Sequence, residues 1–128
     1  MYKFSNPNPM GLRTNDCVIR ALSILLDQSW DKTFTDISLV AFAKGLMPSS
    51  NAVHMQYLDQ HGYKMYTIPN TCPQCITVRE FSERYPKGKY LLATGDHVVA
   101  LINGTYYDSF DSGDEIISYY FTQKGDRN

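Results

Sequence analysis

His97-Val-Val-Ala-Leu-Ile-Asn-Gly-Thr-Tyr-Tyr-Asp-Ser-Phe110 reads as two β-strands joined by the strongest short hairpin signal in the chain. Asn-Gly is favoured in such loops because both central residues of a type I′ turn need positive φ. If Asn103-Gly104 is a two-residue loop, Ile102 opposes Thr105, Val99 opposes Asp108 and His97 opposes Phe110. Side chains alternate with period two, so His97, Val99, Asp108 and Phe110 share one face. Asp96 and Asp111 fall on the other. Asp108 is then diagonal to His97, about 7–8 Å away between backbone positions, within reach of long polar side chains. A one-residue slip would exchange every one of these assignments.

Working outward, KYLLAT from Lys89 and EIISYYF from Glu115 are further β runs, and YKMYTI from Tyr63 alternates like a strand. Thr77-Val-Arg-Glu80 is a capping box opening a helix to about Tyr85. The first half has helical period instead. Asn15 or Asp16 caps a helix to about Asp27, with Val18, Ala21, Leu22, Leu25 and Leu26 as its apolar stripe. Ser29 caps a second helix that stops at Gly45. Ser50 or Asn51 opens a third, ended by Gly62. The segment MYKFSNPNPMG reads as an irregular lead-in, without the apolar region of a secretory signal, and KGDRN as a frayed tail. Helices followed by a sheet give an α+β arrangement, with N-terminal helices packed on a C-terminal antiparallel sheet.

The 128 residues suit a single domain spanning 1–128. Hydrophobic residues at 43% and charged residues at 20% exclude a disordered chain. A net charge of −1 gives no electrostatic reason to expect a nucleic-acid partner. No apolar run approaches the ~20 residues that span a bilayer, so no membrane partner is expected. Three cysteines are too few for a disulfide scaffold and suit a reducing, cytoplasmic setting. Ten Tyr and six Phe suit a sheet with aromatic faces.

Cys17 stands at the expected start of the first helix, where the helix dipole favours a thiolate, the nucleophilic form. The hairpin puts a His and an Asp together. In that geometry the Asp108 carboxylate holds the His97 Nδ1–H while Nε2 faces a thiol. Taken singly, the same residues have plainer readings: a small core cysteine, a half-buried strand histidine, a turn-capping aspartate.

The order of these features resembles the papain-like cysteine peptidases. The matching residues are Asn15-Asp16-Cys17 and the segment from His97 to Glu115. The chain looks most like short papain-like proteins of bacteria and their phages that carry the Asn-Asp-Cys motif. The resemblance implies a papain-like fold with Cys17 as nucleophile, His97 as general base and acid, and Asp108 orienting His97. It implies hydrolysis of an amide, isopeptide or related acyl bond in a protein, peptide or small amide or ester substrate. No cofactor is implied, and for a phage protein the setting is the host cytoplasm. Papain-like enzymes usually place a Gln about six residues before the Cys to complete an oxyanion hole. That position is Gly11 here. Asn15, or a backbone N–H near Gly11, is the substitute, and loss of one good donor costs about 100- to 1000-fold in rate. A non-catalytic binding module on the same fold, capturing a host protein or small ligand, is therefore the alternative. Arg20, one turn past Cys17, either lowers the thiol pKa, binds an acidic substrate group or forms an ion pair.

Cys72-Pro-Gln-Cys75 offers a third reading. A CxxC can be redox-active, or can supply half of a zinc site with His54 and His61, although that His spacing fits no standard pattern. The plain reading is an ordinary loop. The acidic DSFDSGDE segment reads as a solvated loop.

Overall fold

A computed structural model describes residues 1–12, 16–69 and 71–123 of the chain. Asn15 and the tail from Lys124 lie outside the described residues. The elements are β1 (Tyr2–Phe4), α1 (Cys17–Leu25), α2 (Trp30–Lys44), α3 (Asn51–Gln60), β2 (Tyr63–Thr67), α4 (Val78–Arg84), β3 (Lys89–Ala93), β4 (Val98–Ile102), β5 (Thr105–Asp108) and β6 (Tyr119–Gln123). The six strands form one sheet in the order β1-β5-β4-β3-β6-β2. The fold is α+β.

The local signals act as their chemistry dictates. Ser29 Oγ accepts from the Lys32 N–H at 3.1 Å and starts α2, and Gly45 ends it at φ 69°. The Thr77–Glu80 capping box is formed in both directions. Asn103 and Gly104 take φ of 49° and 81°, and the hairpin register is Ile102 against Thr105, Leu101 against Tyr106 and Ala100 against Tyr107.

Three expectations are corrected. The sheet is mixed rather than antiparallel, because the N-terminal lead-in contains β1, which runs parallel to β5. The last strand starts at Tyr119, not Glu115. Residues 115–117 instead hold the start of α4, through Val78 N–H to Glu115 O, a Thr77–Ile116 bridge and Ile117 N–H to Ile76 O. Asp111 lies beyond the end of β5, where strand alternation no longer applies. It accepts from the Tyr106 hydroxyl at 2.8 Å, on the α4 side.

The central strands of the sheet are buried on both faces. Leu91, Ala100 and Phe121 pack with Leu22, Leu25, Ile37 and Leu58 of α1–α3. Tyr90, Leu92, Val99, Leu101 and Tyr120 pack with Val78 and Phe81 of α4. Two-sided burial explains the nearly unbroken apolar runs in β3 and β4. Among the described residues no helix is long and apolar enough to cross a membrane.

Candidate active site

His97 sits immediately before β4, fixed by a turn in which the Thr94 N–H donates to His97 O at 2.8 Å. Its ring packs on Phe110, with centroids 5.1 Å apart. His97 Nε2 donates to Asp108 Oδ2 at 2.5 Å. This reverses the expected ring orientation. The carboxylate holds Nε2, which leaves Nδ1 as the nitrogen for the thiol. His97 precedes the paired part of β4, so the ladder itself does not fix which ring nitrogen meets Asp108.

Asp108 is itself buried and held. Its Oδ1 accepts from the Ser109 N–H at 2.7 Å and its Oδ2 from Ser112 Oγ at 2.9 Å. The Tyr2 hydroxyl and the Ser5 N–H donate to its carbonyl, so β1 and the segment after it brace the end of β5. The acidic loop expected to be solvated thus contributes a buried serine, Ser112, to the site.

Cys17 is the first residue of α1, half-buried, with a free thiol beside His97. Burial pushes this thiol up. The His97 hydrogen bond and charge, the Val98 N–H and the Arg20 charge outweigh it and hold the thiol below its ordinary value. For His97, burial alone would favour the neutral ring. The bonds and charges of Asp108 and Cys17 override it and push the imidazole up to about 10. Both directions favour a thiolate–imidazolium pair. Replacing Asp108 by Asn removes the charge that supports the imidazolium. The alkaline limb of any His97-dependent activity then moves down from about 10, readable as a pH–rate profile.

Asp16, expected as a helix cap, makes no side-chain cap bond. It is a buried hub instead. Its carboxylate accepts from Arg20 Nη1 at 2.6 Å, Trp30 Nε1 at 2.9 Å and Asn8 Nδ2 at 3.1 Å. It ties the N-terminal segment and α2 to the residue before Cys17. Arg20 is therefore an ion-pair partner whose charge also reaches the thiol. The Gly11 N–H donates to Asn8 O at 2.9 Å and the Met10 N–H to Asn8 Oδ1 at 2.9 Å. Neither amide is free to act as an oxyanion donor. Cys17 opens α1, so its own N–H has no acceptor within the helix.

A groove of about 490 Å³ runs alongside. Asp16 and Val18, on either side of Cys17, line it, as do Trp30 and Phe34 of α2, His54 of α3 and Asp96. Val18 and His54 also border an apolar recess of about 100 Å³ reaching Leu58 and Leu91.

Cys72 and Cys75 are joined as a disulfide. In this state neither thiol is available as a metal ligand. His54 Nε2 bonds to Pro48 O at 2.8 Å and His61 Nδ1 to Tyr57 O at 2.9 Å. Among the described residues no group of three or more His, Cys, Asp or Glu is placed to hold a metal ion. No protein-family model matches this chain, and neither a curated protein nor a solved structure matches it.

Proposed function

We propose that this chain is a papain-like thiol hydrolase acting on an amide, isopeptide or related acyl bond. The observation that carries this reading is the series of a Cys17 thiol at a helix start, the His97 ring beside it, and the buried Asp108 hydrogen-bonded to that ring. Cys17 Sγ attacks the carbonyl carbon, and the Cys17 N–H faces the developing oxyanion. His97 Nδ1–H protonates the leaving amine as the carbon–nitrogen bond breaks. The neutral ring then takes a proton from water, which attacks the thioester, releases the acid and restores the Cys17 thiolate beside protonated His97. Throughout, Nε2–H stays on Asp108, which fixes the ring and stabilises its charged form.

A fluorogenic amide or thioester panel tests this reading. Turnover is expected with the native chain and is lost in Cys17→Ala, whose circular dichroism matches the native chain. Turnover that survives Cys17→Ala would falsify the assignment.

One observation favours a second reading. The amides of Met10 and Gly11, where a second oxyanion donor is expected, are consumed by Asn8. A non-catalytic binding module on the same fold needs no such donor. A reactive Cys17 that alkylates readily but turns over no member of the panel decides for that reading.

A further inference from the structure

We propose that the groove beside Cys17 receives a substrate side chain that is a long aliphatic stem ending in a cation, lysine or arginine. This deepens the reading of Cys17 as nucleophile, and rests on it where the ligand is called a substrate. Asp16 and Val18 flank the nucleophile and Asp96 immediately precedes His97. The groove is thus lined by chain neighbours of both Cys17 and His97.

The walls select the stem. Trp30 and Phe34 stack with ring centroids 5.1 Å apart and planes 13° from parallel, forming with Val18 a flat apolar surface. The indole is locked by its bond to Asp16, so the surface is pre-organised. Methylene stems lie on such surfaces while their charged heads reach out.

The charges select the head. The Asp16 carboxylate is already matched by Arg20 and two further donors. The His54 ring is bound to Pro48 O, and burial holds its pKa below the ordinary value. Asp96 is exposed at the groove and has no ion-pair partner among the described residues. Among the described residues the groove thus carries one negative charge without an ion-pair partner, beside aromatic faces that also attract cations. An uncharged side chain would satisfy the wall and leave Asp96 unused. An acidic one would be repelled.

Three acetyl-dipeptide chloromethyl ketones provide the test, with both residues lysine, norleucine or glutamate. Norleucine keeps the lysine stem without the ammonium. Doubling the residue removes the question of which position enters the groove. Rates of Cys17 alkylation are normalised to iodoacetamide, which reads the thiol alone. The lysine probe is expected to react about tenfold faster than the norleucine probe at low salt, with the advantage shrinking at 0.5 M NaCl. In Asp96→Asn the ratio falls toward one, and in Asp96→Lys the glutamate probe leads.

A second measurement does not depend on Cys17 reactivity. Trp30 is the only tryptophan in the chain, so its fluorescence reports occupancy of the groove. Acetyl-dilysine amide should perturb it at lower concentration than the norleucine and glutamate amides. Equal or stronger response to norleucine or glutamate, or no response to any of them, overturns the proposal. If dilysine binding persists while Cys17 alkylation has an ordinary thiol pH profile, the nucleophile reading fails and the cation-binding groove stands.

Discussion

In the His97→Ala variant the pH at which Cys17 alkylation reaches half its plateau moves up, toward the ~8.5 of an unperturbed thiol. The direction follows from the balance at the sulfur. Burial raises the thiol pKa, and His97 is the foremost of the groups that oppose it. With the ring gone, only the Val98 N–H and Arg20 are left to oppose burial. At pH 6.5 an unperturbed thiol is only about 1% ionised, so little nucleophile is left. The proposed hydrolysis suffers twice, because the leaving group also loses its proton donor. General acid–base catalysis contributes about 10²- to 10⁴-fold, and the loss in turnover is expected in that range or beyond. Added imidazole should restore part of the turnover by entering the space the ring vacates. An inflection unchanged from the native chain would show that His97 does not control the thiol.

The same pair sets the shape of the native pH profile. Thiolate is gained as pH rises through the lowered value of Cys17, and imidazolium is lost as pH rises through about 10. Turnover that needs both forms has an acid limb from the first and an alkaline limb from the second. The consequence for stability has the sign of a raised base. The stabilisation from charged His97 is fully present below its ordinary value near 6.5 and drains away as pH rises toward about 10.

The site was legible in the sequence where its geometry is local. The Asn103-Gly104 loop fixes the register of β4 and β5, and the register brings His97 and Asp108 together from residue numbers alone. What escaped is non-local. β1 is three residues long, and its partner lies about a hundred residues away, so MYKF carries no pairing signal of its own. Asp16 stands where a cap belongs. Only the fold brings Asn8 and Trp30 to it, and a short polar residue before a helix has one local meaning. The run from Ile116 to Phe121 is apolar or aromatic apart from Ser118, so the sequence gives no way to tell the residues that dock α4 from those that join β3. The orientation of the His97 ring depends on which side the carboxylate approaches, which strand periodicity does not encode.

Asp16→Ala is expected to destabilise the fold by about 3–5 kcal/mol, because it leaves the buried Arg20 guanidinium without its carboxylate. The loss extends to the bonds from Asn8 and Trp30, which join the N-terminal segment and α2 to the start of α1. Urea denaturation should show a lower midpoint with an unchanged slope. The double variant Asp16→Ala/Arg20→Met separates the ion pair from these tethers. Removing both charges relieves the unpaired cation, so the double variant should be more stable than Asp16→Ala alone. A double variant no more stable than the single would place the cost in the tethers and not in the charge. The pair also links stability to chemistry. In Asp16→Ala the Arg20 charge, which already favours the thiolate, is no longer offset by a neighbouring carboxylate. Under conditions where the variant remains folded, the Cys17 alkylation profile should therefore shift to lower pH, opposite to the shift in His97→Ala. Two substitutions around one thiol that move its titration in opposite directions distinguish an electrostatic setting of Cys17 from a general loosening of the site, which would move both toward the ordinary thiol value.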